Sequence, residues 1–569
     1  KCIKIINHIA PEHLHLHVKE KNKILPEINN AGSIFLGEYS TEAFGDYIAG
    51  TNHILPTSGS AKFSSGLSVY DFMKRTSIIN IDKKGYNKLN QHTQQMAEIE
   101  AALAAFANFM WGLPLVVLLV GGGLFFMVHS RLMHFRYLGH AYDLLCGKYN
   151  TQSAEAAGDI THYRALATAL AGTIGLGNIT GVALAITVGG PGAVFWMWVT
   201  ALVGISTKFY TASLAIMYRG KDDSGKLQGG PMYVIREALG RKWLPLAWMF
   251  AIAGMFGTLP VFQINQLVQI VRDLIAIPAG IATTDNHFTF DLIMGITLSI
   301  ILFSIAVGKI RRVSAFAAKV VPTMVVFYFG ITLILLLSNI TEIPVMLVLI
   351  ITDAFTGDAV SGGVLGAVIL VGVQRGVFSN EAGLGTESLA HGAAKTNEPT
   401  REGLVAMIGP IIDTLIICTC TALALLVTGV WEGDAIGVTL TSQAYEQAFP
   451  GFGAYLVLLM VIVLSITTVL TYSYYGSKCM AFLFGTKTEK YYLYGYMALV
   501  TAGAVASLDA VISLFDGVYA TMAIPTMLST IILAPKVREV AKDYFARLGN
   551  GEFEQTQNQS ESLSTEQSL

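Results

Sequence analysis

The sequence predicts an all-α polytopic membrane protein of eleven transmembrane helices, arranged as one leading helix and two five-helix units of opposite orientation. Three observations predict it. Charged residues make up 13% of the 569, about half of the ~25% usual for a soluble globular chain. From Phe109 onward, apolar stretches long enough to cross a bilayer core of about 30 Å recur between short charged loops. Two of these stretches, five apart in order, are interrupted by glycine and polar residues.

The stretches are 109–129, 164–187, 192–217, 245–271, 290–307, 314–338, 364–390, 403–430, 452–480, 493–508 and 513–534. Their loops test the count. Loops 130–164, 218–243, 308–319, 391–402 and 476–491, with the end from Lys536, hold 23 Lys and Arg, and the alternate loops hold one, Arg272. Positive loops stay cytoplasmic, and one missed helix would scramble the alternation after it. The expectation is a multi-pass protein of the plasma (inner) membrane with a cytoplasmic carboxyl end. Residues 548–569 are polar and read as a disordered tail. The net charge of −2 argues against nucleic acid as a partner. Cys2, Cys146, Cys418, Cys420 and Cys479 show no metal or disulfide spacing.

The second stretch carries 172-GTIGLGNITG-181 and the seventh 376-GVFSNEAGLG-385. Backbone can leave the helix at membrane depth only where it faces a cavity or another helix. Two breaks five spans apart have opposite orientation, as an inverted repeat would produce, and unwound ends offer N–H groups to an anion and carbonyls to a cation. Gly177 and Gly181 also form a GxxxG pair, so close packing is the competing reading. Packing alone does not account for Asn178, Ser379, Asn380 and Glu381, because polar groups at depth are costly.

Other polar residues carry two open readings each. Gln263 and Gln266 share a face of the fourth helix, suited to an interhelical hydrogen bond or to substrate. In 465-SITTVLTYSYYG-476, Ser465, Thr468 and Tyr472 line one face of the ninth, unless the hydroxyls bond back to their own helix. Lys208, Arg375 and Asp413 are intramembrane charges, read first as ion pairs and second, for Asp413, as a coupling-ion group.

GTIGLGN, 189-GGPGAVFWMWVTALVG-204, GGPMYVIREALG (229–240) and FSNEAGLG together resemble the alanine or glycine:cation (sodium:alanine) symporter family over residues 96–545. The resemblance implies a non-enzyme: a secondary transporter of small neutral amino acids driven by sodium, on the LeuT-type 5+5 inverted repeat plus one helix, with no organic cofactor. It places Thr173, Gly175, Gly177 and Asn178 at the substrate, with Gln263 or Gln266, Thr468 at the ammonium side, and Tyr472 as the pocket wall. Many relatives have Trp where Tyr472 stands, which loosens the size limit. Sodium falls to the broken helix with Ser465 and Thr468, and to Asn380 as second candidate. Proton-coupled or uncoupled carriage is the alternative, and oligomeric state has no signal in the sequence.

The first 95 residues differ: 19 are charged, against 57 of the other 474, and six of the twelve histidines lie there. Segments 9-IAPEHLHLHV-18 and 30–77 resemble the carboxyl-terminal part of histidinol dehydrogenase, a soluble zinc enzyme using NAD, which implies a small α/β fragment. That family's motifs make Asp46 a vestigial zinc ligand and His53 a vestigial substrate contact; Glu100 lies where the likeness is failing. One carboxylate cannot make a zinc site of about four ligands. The expectation is an incomplete enzyme over 1–95, read as a remnant or join from a neighbouring gene with Met96 as a natural start. The rival is a genuine fusion that needs partner chains.

Overall fold

The computed structural model describes residues 2–11, 13–31, 33–40, 77–79, 83–132, 134–148, 157–283, 286–307, 309–355, 364–433, 435–506 and 508–553. The chain divides into two units, residues 1–105 with 279–287, and residues 106–278 with 288–569. Asp46 and His53 lie outside the described residues.

In the first unit a parallel three-stranded sheet joins His13–Leu16, Ser33–Leu36 and Ser77–Ile79, in that order, with Ser33 opposite both His13 and Ser77. The central strand is Ser-Ile-Phe-Leu, buried throughout, as a strand covered on both faces requires. Its small core is Leu16, Ala31, Ile34 and Leu36. Asn7 fastens the amino-terminal helix Cys2–Ile9 to the following turn, accepting from the Asn29 and Asn30 N–H groups and donating to the Glu27 carbonyl.

The second unit is a bundle of apolar helices. Among the described residues, seven are long and apolar enough to cross a membrane: Gly192–Met217, Arg241–Ala276, Phe288–Ala306, Ile310–Ser338, Pro399–Val427, Gly453–Phe484 and Ile512–Gly549. Two bent pairs, Ala97–Met110 with Leu113–His129 and His162–Thr173 with Leu176–Gly189, raise the number to nine if each is one span. The two other predicted spans are helical but short. Val364–Asn380 stops at its break, and Glu489–Ala504 has 16 residues. A further apolar helix, Ile343–Asp353, was not predicted. The predicted tail is helical up to Gly549, and Phe553 is buried with the Arg401 and Arg547 guanidinium groups over its ring.

Small residues set the closest approaches. A Cβ on Gly372 would meet the Ala193 carbonyl at 2.5 Å, and one on Gly376 would run into Thr200. The seventh-span helix therefore seats directly on Gly192–Met217, the packing that small-xxx-small patterns permit.

Candidate substrate and ion site

The second predicted span is broken where the glycines lie. Its first half ends at Thr173, Gly175 is extended, a single 3-10 turn covers Leu176–Asn178, and the helix resumes at Thr180 with a 56° bend. Asn178 bridges the gap: its Oδ1 accepts the Gly175 N–H at 2.9 Å, and its amide donates to Asp413 Oδ1 at 2.8 Å. Thr173, by contrast, spends its hydroxyl on its own helix, on the Ala169 carbonyl at 3.3 Å.

The seventh span breaks at 381–386. Glu381, Gly383 and Gly385 all have positive φ, at 54°, 89° and 86°. That conformation is ordinary for glycine and uncommon for glutamate, where it marks a residue held by its surroundings. Glu381 is so held. Its carboxylate accepts from the Tyr472 hydroxyl at 2.6 Å and from Thr386, and Tyr472 is also bonded to Tyr519.

Asp413 joins the two breaks. It lies on a π-helical stretch, Ile411–Cys418, whose wider turns are frequent at functional sites. Besides Asn178 it accepts from Ser379 Oγ at 2.8 Å and Thr414 Oγ1 at 2.7 Å, so one fully buried carboxylate holds a residue of each broken helix. Among the described residues Asp413 makes no ion pair, and hydrogen bonds stand in place of the expected one. Arg375 does pair, with Asp516 at 2.9 Å. Lys208 is 2% exposed and has no carboxylate within 4 Å among the described residues; its charge acts on both Glu381 and Asp413.

The glycines make close contacts at both breaks. Gly177 abuts Ser379 and Phe378 of the second break, where a Cβ would sit 3.3 Å from the Ser379 Cα. Gly175 faces Thr468, whose Oγ1 would lie 2.7 Å from a Cβ there. Among the described residues, Thr468 Oγ1 and Ser465 Oγ are buried without a hydrogen-bond partner, whereas the neighbouring Thr467 bonds back to its own helix. Buried oxygens of this kind cost free energy unless something completes them. Gln263 Oε1 is likewise unpartnered, while Gln266 donates to Gln269 within its own helix. Between the two glutamines, Asn265 donates to the Ala506 carbonyl, just past the helix Glu489–Ala504, at 2.7 Å. Asn380 gives its Oδ1 to the Ala382 N–H and leaves its amide nitrogen unpartnered, a donor rather than a cation ligand.

Sequence reading missed Thr414, Thr386, Tyr519 and Cys418, which complete the network around Asp413 and Glu381. Asp413-Thr414 inside an apolar run was the one available signal.

Long apolar helices, two of them interrupted and joined through their interruptions around buried polar groups, define a multi-pass membrane protein of the carrier type. The family model described as the sodium:alanine symporter family matches residues 96–559, and the chain belongs to that family. A model described as histidinol dehydrogenase matches residues 1–109. The chain is 39% identical to a sodium/alanine symporter of Methanococcus maripaludis, over 77% of this chain and 95% of that one. It is 37% identical to an uncharacterized transporter of Haemophilus influenzae (80% and 98%), and 30% identical to a probable sodium/glutamine symporter of Bacillus subtilis (79% and 91%). The crystal structure of MhsT in complex with L-phenylalanine aligns with 68% of this chain and 98% of its own, with TM-score 0.49 and 14% identity.

Proposed function

We propose that residues 96–547 carry out sodium-coupled symport of small neutral amino acids, alanine and glycine, into the cell by alternating access. In this reading eleven helices cross the membrane as a LeuT-type 5+5 inverted repeat with one helix in front, the carboxyl end is cytoplasmic, and 548–569 is a tail. The observation that carries it is the junction of the two breaks at Asp413, with Gly175 of the first break facing Thr468, whose Oγ1 is unpartnered among the described residues, as is Ser465 Oγ. Charge supports cation coupling: Glu381 and Asp413 are fully buried carboxylates on which the charge of Lys208 acts. A bound sodium would favour their ionised forms in a medium where an unbalanced charge is costly.

The substrate carboxylate takes the backbone N–H groups around Gly175 and Gly177, with Asn178 yielding its bond to Gly175 and Thr173 beside it. Thr468 and Gln263 receive the ammonium, Gln266 closes the same helix face, and Tyr472, fixed by Glu381, is the wall. Ser465 and Thr468 ligate sodium; Asn380 joins them only with its amide turned over. Ion and substrate then favour each other's binding by a common free energy, of order 1–3 kcal/mol.

Alanine uptake into proteoliposomes tests this. With an inward sodium gradient, accumulation should exceed the gradient-free control about tenfold; equal uptake leaves an uncoupled carrier, and a response to a proton gradient alone leaves a proton-coupled one. Tyr in place of Trp at 472 widens the pocket, so glutamine, the substrate named for the Bacillus relative, belongs among the competitors measured.

A further inference from the structure

Apart from the substrate site, the second unit contains a cavity of about 810 Å³ at the Lys/Arg-rich end of the bundle, within the 300–1,000 Å³ usual for ligand sites. Its inner wall is apolar: Phe303, Ala306 and Val307 from the end of the fifth-span helix, Ile310 and Val313 from the start of the sixth, and Leu493 from the tenth. Its mouth is cationic, with Lys226, Lys478, Lys487 and Lys490 against the carboxylates Asp222 and Glu489.

The pairing inside this set decides what is left for a ligand. Asp222 is taken by the Ser224 and Lys226 N–H groups and by Gln228. Glu489 receives Lys478 at 3.3 Å, and Lys226 reaches out of the cavity to Asp159 at 2.6 Å. Ser473 and Ser477 bond back to their own helix. Lys487 and Lys490 are exposed and have no carboxylate within 4 Å among the described residues; Lys490 lies over the Tyr491 ring, 4.9 Å from its centre. Two unpaired ammonium groups at the mouth of an apolar cleft between helices are complementary to an amphiphilic anion.

The geometry points to a binding site for one anionic phospholipid of the cytoplasmic leaflet, its phosphate between Lys487 and Lys490 and an acyl chain along Phe303, Val307 and Leu493. Assigning the leaflet rests on the orientation given under the proposed function; the site itself does not. Lysines near a membrane surface attract anionic lipid by about 1 kcal/mol each, so loss of both should weaken retention about 30-fold.

Native mass spectrometry of the full-length protein in neutral detergent, titrated with phosphatidylglycerol or phosphatidylcholine, is the test. One phosphatidylglycerol should be retained in preference to phosphatidylcholine. K487A/K490A should lose that preference about 30-fold, K487R/K490R should keep it, and K242A/K542A, which removes exposed lysines outside the cavity, should leave it unchanged. Equal retention of both lipids, equal loss in K242A/K542A, or loss in K487R/K490R would overturn the proposal. Displacement by millimolar inorganic phosphate would mean a phosphate site without an acyl groove, and displacement by L-alanine a substrate exit path; either also overturns it. Reaction of a cysteine at position 487 with impermeant reagent on sealed vesicles reports orientation separately, so an inverted topology is distinguishable from an absent site.

Discussion

A methyl group on Gly175 would stand 2.7 Å from Thr468 Oγ1 and within 3.8 Å of that residue's Cβ and Cγ2. G175A should therefore push Thr468 out of place at a cost of about 1–3 kcal/mol, and sodium-driven alanine uptake should fall at least tenfold while the protein still elutes as a single species. T468S keeps the hydroxyl and should retain most uptake; T468A should raise the sodium concentration for half-maximal uptake. If G175A transports normally, the contact is not functional. Both residues were legible in the sequence, Gly175 as an interruption and Thr468 as one member of a helical face. Tyr519 was not, because its bond to Tyr472 spans 47 positions and leaves no local pattern. A second residue makes a pH prediction. His140 lies outside the spans, bonded to the Tyr544 hydroxyl at 2.7 Å, and burial followed by the charge of Arg401 pushes its imidazole down to about 4. The folded state favours the neutral ring, so its contribution is present above pH 6.5 and is lost as pH falls toward 4. At pH 5 the loss is on the order of 1 kcal/mol once partial exposure is discounted. H140Q should flatten the drop in melting temperature between pH 7 and pH 5; an unchanged drop refutes the assignment.

Between elements, the same two broken helices that meet at Asp413 are tied again at their Lys/Arg-rich ends. Ile160, just before the first broken helix, pairs with Ala394, just after the second, and Lys395 donates to the Ile160 carbonyl at 2.7 Å. Arg219 gathers the carbonyls of Ala157, Gly392, Ala394 and Thr396, and Glu402 receives both His162 and His391. These bonds satisfy backbone that has left the helix, and they tie the two broken helices together at that end. Under the alternating access proposed above, this clasp has to part. R219A, which leaves four carbonyls without their donor, should increase labelling of a cysteine at Ala393 severalfold from the Lys/Arg-rich side and reduce the accumulation ratio. Unchanged labelling would mean that the clasp is not a gate. D413N tests the other junction: it keeps the shape but removes the charge and turns half of the carboxylate into a donor. It should weaken sodium dependence more than alanine affinity at saturating sodium. The breaks themselves were readable, because glycine beside Asn or Ser in an apolar run both loosens the helix and places a costly polar group at membrane depth. The clasp was not, since carbonyl bonds carry no side-chain signature and Arg219 reads simply as one more positive loop residue.

At the scale of the whole chain, three boundaries fall close together. The charged front segment and the apolar remainder separate near residue 96, the two family models overlap over 96–109, and the structural division falls at 105. The sequence could show a seam because charge density is a bulk property. Lys83–Met110 is one continuous helix, and along it the residues pass from mostly polar to mostly apolar near Met96. The physical weight of the two sides is unequal. Among the described residues, the buried cluster of the first unit is Leu16, Ala31, Ile34 and Leu36, and the resemblance assigns the unit only one zinc ligand of a site that needs about four. We propose accordingly that 1–95 has no dehydrogenase activity and no part in transport. A chain beginning at Met96 should insert and take up alanine within about twofold of the full-length protein, with the same sodium dependence. The full-length protein should bind no stoichiometric zinc and should not reduce NAD in the presence of histidinol. Loss of uptake on deletion would make the front segment a working part of the transporter, and one zinc per chain would restore the fusion reading. Intact mass of the purified protein completes the test, because a species starting at Met96 and a full-length one in the membrane predict different masses for the same activity.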